Sequence, residues 1–281
     1  MKPRADLPAA FFLAGDSTTA TDGGWGDAFL DSTLVNGAWG TNYAKSGATT
    51  VSFRADGNWD STIEAVKNVS ANGDYAAWVT IQVNGFPQKK GTPADEADKK
   101  RNVGEPFGHN DQKASANITN DEFSANLGAF VDEVRDAGGN PVSKPSPATA
   151  AKDHLLTASP DQILVSSLSR RGYSGDPERI VENLANETAA ALGVAAAKGA
   201  LAIDLNRAST DYLNAIGSDD AWTYNLTPDD QTHLDAAGAA VFANMVAWLL
   251  DTSDAGDVLA QSTVAGDDYV RAFESGTFIA E

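Results

Sequence analysis

The sequence predicts an α/β protein in which a parallel sheet is covered on both faces by helices. Short apolar runs of strand length alternate with segments whose apolar residues recur at helical spacing. The stretches between successive strands are long enough for crossover connections, as parallel pairing requires. The 281 residues contain no internal repeat and no convincing domain boundary. A single domain over 1–281 is therefore expected, with 42% hydrophobic residues to fill one large core.

The elements follow in order. Phe11 to Ala14 is an apolar run that stops at Gly15-Asp16-Ser17-Thr18-Thr19-Ala20 and delivers the Ser17 hydroxyl to the strand's C-terminal edge. That edge is where open α/β sheets build their sites. The alternative reading is that Asp16 or Ser17 only caps the next helix. Gly23-Gly24-Trp25-Gly26 loosens the backbone before a short helical segment through Phe29 and Leu30. A second strand is expected over 41–44, running into Lys45-Ser46-Gly47-Ala48. A glycine just past a strand either presents its N–H to a ligand or simply serves a turn.

Trp59, Ile63 and Val66 predict a helix over 59–69, and residues 75–82 read as a third buried strand. Phe123, Leu127, Phe130, Val131 and Val134 share one face of an amphipathic helix over 119–137 that Gly138-Gly139 closes. Residues 163–168 are the fourth strand. Ile180, Leu184, Thr188 and Leu192 place a helix between 176 and 198, and 201–204 is a fifth short strand. The chain closes with a helix over 234–250 that turns Val241, Met245, Trp248 and Leu249 to the core.

Charge and composition bound the function. With 39 acidic against 20 basic residues the net charge is −19, which disfavours nucleic acid and anionic membranes as partners. No apolar run reaches the roughly 20 residues that span a bilayer. Cysteine is absent, which removes thiol catalysis and disulfides. Sequons begin at Asn68, Asn117, Asn186 and Asn225, compatible with a glycosylated secreted protein. The first ten residues lack a signal-peptide core, so a leader would have been removed or the native start would lie elsewhere.

The chemistry gathers around few residues. Near the end, Thr227-Pro228-Asp229-Asp230-Gln231-Thr232-His233 sets an aspartate three residues before a histidine, on one side of a helical turn. Asp230 can then accept from one ring nitrogen of His233 and leave the other free, the orienter and base of a nucleophilic triad. Otherwise Asp230 caps the final helix and His233 is a surface residue. Of the other two histidines, His154 falls in an unpatterned stretch and His109 adjoins Asn110. No histidine pair has metal-ligand spacing. The Gly-x-Ser-x-Gly elbow of α/β-hydrolases is missing.

Gly15-Asp16-Ser17, Gly47, Gly108-His109-Asn110-Asp111 and Asp230-x-x-His233, in this order, resemble the SGNH (GDSL-like) hydrolases. Gly15 to Ala20, Phe107-Gly108-His109-Asn110-Asp111-Gln112-Lys113 and Ser167-Leu168-Ser169-Arg170-Arg171 look most like rhamnogalacturonan acetylesterases. The resemblance implies a three-layer α/β/α sandwich around a five-stranded parallel sheet, flavodoxin-like in order. It also implies Ser17 as nucleophile, His233 as general base and Asp230 as its orienter. The Ser17 and Gly47 N–H groups with the Asn110 side chain would form the oxyanion hole, each donor contributing roughly 3 kcal/mol. No cofactor or metal is needed. The expected substrate is an acetylated pectic polysaccharide, with another acyl ester such as acetylxylan, or non-catalytic carbohydrate binding, as alternatives. The protein is expected to be a secreted monomer. Arg170 and Arg171 would supply positive charge for a galacturonate polymer or form solvated ion pairs, and Trp25 and Trp222 would stack on sugar or pack internally.

Two stretches depart from the family pattern, at about 83–106 and 142–162. They begin Val83-Asn84 and Val142-Ser143, lack periodicity, and interrupt the chain where the family runs strand into motif. They read either as translated introns or as loops at the rim of the site.

Overall fold

The computed structural model describes residues 7–82, 118–138, 161–182 and 184–280. The stretch 83–106, most of 142–162, His109, Asn110, Asn117 and His154 lie outside the described residues.

The strands β1 (Ala9–Gly15), β2 (Trp39–Asn42), β3 (Ala76–Gln82), β4 (Asp161–Val165) and β7 (Leu201–Ile203) form one sheet, all neighbours parallel, in the order β2-β1-β3-β4-β7. This is the flavodoxin-like order. From β1 the chain passes to β2 on one side and then to β3 on the other, so a crevice opens between the C-terminal ends of β1 and β3. A separate antiparallel pair, β5 (Tyr173–Ser174) with β6 (Arg179–Ile180), follows β4.

Alternation along β1 divides the interior. Ala9, Phe11 and Leu13 point to one core and Ala10, Phe12 and Ala14 to the other. The second core is closed by α3 (Asn58–Asn72), α4 (Asn120–Ala137) and α5 (Ala185–Lys198), with Trp59, Phe123, Phe130 and Val131 fully buried. A short helix, α2 (Thr50–Ala55), adds Phe53 to it. The first core is built on α7 (Ala236–Asp251), whose Val241, Phe242, Met245, Val246 and Leu250 are all buried. A helix apolar around most of its circumference has to be enclosed. Here α1 (Gly26–Ser32), α6 (Leu205–Ile216) and α8 (Asp267–Ser275) pack around it. The fold is thus three layers, helices on both faces of a five-stranded parallel sheet.

Several boundaries differ from the sequence reading. The expected start of the helix at 176 is instead the β5–β6 hairpin, because Gly175 at φ +91° and Pro177 turn the chain. Helix α5 starts at Ala185, so Ile180 is a strand residue. Asp161 and Gln162, assigned above to the second unpatterned stretch, belong to β4 and pair with Trp78 and Val79. Helix α6 was not anticipated, and α7 is followed by α8 rather than ending the chain. Trp248 and Leu249 are partly buried where Val241 and Met245 are fully so.

Candidate active site

The turn after β1 is held by its own polar groups. The Asp16 carbonyl accepts from the N–H groups of Thr19 at 3.1 Å and Ala20 at 2.9 Å, while Asp16 Oδ1 accepts from the Thr18 N–H at 2.9 Å and the Thr18 hydroxyl at 3.0 Å. This side-chain-closed turn is what Asp favours at a strand end. Gly15 admits no side chain, since a Cβ there would lie 2.7 Å from Thr19 Oγ1 and 2.8 Å from the Gln82 carbonyl oxygen. Beneath the turn, Gln82 at the end of β3 is a buried polar hub. Its Oε1 accepts from Trp25 Nε1 at 2.8 Å and, through a very short contact, from the Thr19 hydroxyl, while its Nε2 donates to the Ser166 carbonyl at 3.3 Å. Trp25 is therefore core, fully buried, and cannot stack on sugar.

The second half of the site comes from the loop before α7. Asp230 N–H donates to the Thr227 carbonyl at 2.9 Å, closing the Thr-Pro-Asp-Asp turn. Asp230 Oδ1 accepts from the backbone N–H groups of Thr232 at 3.0 Å and His233 at 2.9 Å. Its other oxygen, Oδ2, lies 2.8 Å from His233 Nδ1. The Asp-x-x-His spacing thus works through a carboxylate-centred turn and not, as the sequence suggested, through a helical one. Asp235 caps α7 instead, accepting from the Gly238 N–H at 2.8 Å.

Two bonds dock this loop on the rest of the molecule. Leu234 N–H donates to the Gly23 carbonyl at 2.9 Å, and Leu226 N–H to the His233 carbonyl at 2.9 Å. Gly23, at φ +134°, faces the imidazole so closely that a Cβ would sit 3.1 Å from His233 Cβ. His233 Nε2 then reaches Ser17 Oγ at 2.9 Å. Residues 216 positions apart form one continuous line from carboxylate to imidazole to hydroxyl.

The electrostatics suit a polarised imidazole. Burial works to raise the Asp230 carboxyl, but the bonds it accepts from the His233 and Thr232 N–H groups and the His233 ring outweigh that and hold it below the usual 3.8. It stays an anion beside the ring at neutral pH. Gly47 lies beyond β2, the neighbour of β1. The Lys45 N–H bonds the Gly15 carbonyl at 3.0 Å, which brings this segment beside the Ser17 turn. The turn closes through Ala48 N–H to the Lys45 carbonyl, with Gly47 at φ +81°. That conformation favours glycine, and a Cβ added there would meet nothing within 4 Å.

The structure thus brings Ser17, His233 and Asp230 together and sets Gly47 at the same sheet edge. Asn110 lies outside the described residues. Sequence reasoning missed Gln82, Gly23 and Asn225. A lone glutamine ending an otherwise apolar strand was the available signal for the first. Arg171 was misjudged. It is fully buried, so it neither meets a polymer nor forms a solvated ion pair. Its Nε donates to Asn225 Oδ1 at 2.5 Å and its Nη2 to the His233 carbonyl at 2.6 Å. Asn225, 7% exposed and so engaged, is no glycan acceptor, whereas Asn68 and Asn186 are exposed. Trp222 stands 40% exposed, its indole N–H bonded to the Arg171 carbonyl at 2.9 Å and its ring edge-on to Tyr173. Among the described residues no cluster of His, Asp or Glu could hold a metal ion, and no helix is long and apolar enough to cross a membrane.

A strand-end serine and a distant Asp-x-x-His on a flavodoxin-like sheet invite comparison with known families. The family model described as GDSL-like lipase/acylhydrolase matches residues 11–246. The chain belongs to that family. Among curated proteins, rhamnogalacturonan acetylesterase RhgT of Bacillus subtilis (strain 168) is 31% identical over 142 residues, which is 48% of this chain and 47% of RhgT. The match covers about half the length of that relative. Among solved structures, the YXIM protein of Bacillus subtilis superposes with a TM-score of 0.61 at 18% identity, over 87% of this chain and 56% of its own. A mutant of Axe2, an acetyl-xylooligosaccharide esterase from a Geobacillus, gives 0.50 at 18% identity over 87% and 94%. At these identities the solved structures speak for the fold, and this GDSL-family chain shares it.

Proposed function

We propose that the chain is a carboxylic ester hydrolase that removes O-acetyl groups from a pectic polysaccharide of the rhamnogalacturonan type. The observation that carries this reading is the line Asp230 Oδ2, His233, Ser17 Oγ, with hydrogen-bond distances of 2.8 and 2.9 Å. In the reaction His233 Nε2 takes the Ser17 proton as Oγ attacks the acetyl carbonyl. Asp230 holds the Nδ1–H tautomer and stabilises the imidazolium. The tetrahedral oxyanion is met by the Ser17 and Gly47 N–H groups and the Asn110 side chain. Collapse expels the sugar hydroxyl, which leaves with the proton from His233. Water, deprotonated in turn by His233, then releases acetate from acetyl-Ser17.

The choice of polysaccharide is supported by the 31% identity to RhgT over half its length. The polymer would be met outside the cell, by a secreted and monomeric protein. The test has two parts. Ser17→Ala is expected to abolish hydrolysis of p-nitrophenyl acetate, and equal rates would refute the nucleophile. Acetate release from acetylated rhamnogalacturonan is expected to exceed release from acetylxylan; the reverse order would move the substrate to xylan.

A further inference from the structure

The tandem Arg170-Arg171 follows β4 and has no part in the reaction as written. Basic pairs on a protein with a net charge of −19 usually serve solvent-exposed ion pairs, and this one does not. Arg171 is fully buried, and burial of a cation demands compensation from its surroundings. That compensation comes from the loop that carries the base. Nη2 donates to the His233 carbonyl at 2.6 Å, Nε to Asn225 Oδ1 at 2.5 Å, and the Arg171 N–H to the Gln231 carbonyl at 2.8 Å. Asn225 and Leu234 form an antiparallel bridge, so the guanidinium holds both of the segments it joins, one at Asn225 and the other at His233.

The charge is retained. Burial pushes the Arg171 guanidinium down only to about 10, and the carboxylates of Asp230 and Asp235 and the Tyr173 hydroxyl act in the opposite direction. The side chains bonded to the base itself are Asp230 at Nδ1 and Ser17 at Nε2. On the nucleophile side, Arg170 interacts electrostatically with Asp16 and Glu187. One two-residue segment thus faces both halves of the site, Asp16 beside Ser17 and the loop of His233.

We infer that Arg171 is a positioning residue for the base, holding the His233 backbone through its carbonyl so that Nε2 stays within reach of the Ser17 hydroxyl. This rests on the proposed function.

The test is kcat and KM on p-nitrophenyl acetate for Arg171→Met and Arg171→Lys, with thermal melts alongside and all rates read well below the melting temperature of each variant. Arg171→Met is expected to lose about 100-fold in kcat with KM little changed, the cost of a misplaced base. Arg171→Lys keeps a donor for the His233 carbonyl without the fork, so its kcat is expected to fall by only about tenfold. A purely structural role would lower the melting temperature and leave the kcat of folded Arg171→Met at the wild-type value, which overturns the inference. If Arg171→Met does not fold, Arg171→Lys decides: a reduced kcat at unchanged KM supports the inference, and a wild-type kcat overturns it. Ser17→Ala separates the two layers. An inactive Ser17→Ala beside a wild-type-like Arg171→Met refutes this inference alone, whereas an active Ser17→Ala refutes the function.

Discussion

Gln82 is the residue on which the turn of Ser17 rests, and replacing it with leucine measures that support. Thr19, Trp25 and Gln82 are each fully buried, so a donor that loses Gln82 Oε1 has no water to turn to. Two good donors converge on that oxygen, Trp25 Nε1 at 2.8 Å and the Thr19 hydroxyl, while the third, the Thr18 hydroxyl at 3.4 Å, is marginal and has Asp16 as well. An orphaned buried donor costs about 1–3 kcal/mol, so Gln82→Leu should lose about 4 kcal/mol in all. Against a total stability of about 5–15 kcal/mol this is a large fraction. At a slope of about 2–3 kcal/mol/M the urea midpoint should fall by roughly 1–2 M. The same substitution in a Trp25→Phe background leaves one donor fewer to orphan, and should cost about 1–2 kcal/mol less than in the wild type. A loss under about 1 kcal/mol, or strict additivity in the cycle, would refute the claim that Gln82 is the hub.

Other outcomes follow from the same geometry. Asp230→Asn should lower kcat by about 10,000-fold, because an amide can stabilise the wrong tautomer of His233; a stopped-flow assay with p-nitrophenyl acetate reads it. The Asp230 carboxyl is held below 3.8, so the stability it contributes is present above that pH and lost as pH falls through its folded value. The stability deficit of Asp230→Asn in urea should accordingly be full at neutral pH and shrink below about pH 4. Because the chain carries a net charge of −19 and Arg171 is buried, a galacturonate polymer should be repelled at low salt. Its KM should fall several-fold between about 0.01 and 0.15 M ionic strength, while turnover of p-nitrophenyl acetate stays constant.

Much of this architecture could be read from residues whose local and global roles coincide. Phe11 to Leu13, Ala77 to Val79 with Ile81, and the stripe Phe123, Leu127, Phe130, Val134 are apolar and buried, and their periods announced a strand or a helix directly. Helix α6 went unread although Leu205, Ala208, Tyr212, Leu213 and Ile216 recur at helical spacing and pack in the first core; its buried face also carries the polar Ser209 and Thr210, and Ser209 Oγ accepts from the Ser169 N–H at 3.0 Å. The hairpin at 173–180 escaped because Ile180 happens to fall in helical register with Leu184. For the site, Ser17 and the Asp230-x-x-His233 pair were visible as short motifs, since their partners are close in sequence or end a strand. Arg171, Gln82 and Gly23 act across 50 residues or more, through Asn225 and His233, Trp25, and the imidazole respectively. Residue type alone pointed Arg171 outward, toward a substrate, where desolvation and carbonyl acceptors have turned it inward.

The central claim, that Ser17 is acylated and His233 is its base, is tested most directly by trapping the intermediate. Acid quenching of the protein during turnover of p-nitrophenyl acetate, followed by peptide mass spectrometry, should find one acetyl group on the peptide that carries Ser17. The adduct should be absent from Ser17→Ala, and turnover with it. An acetyl group on another residue, or undiminished turnover by folded Ser17→Ala, would contradict the account.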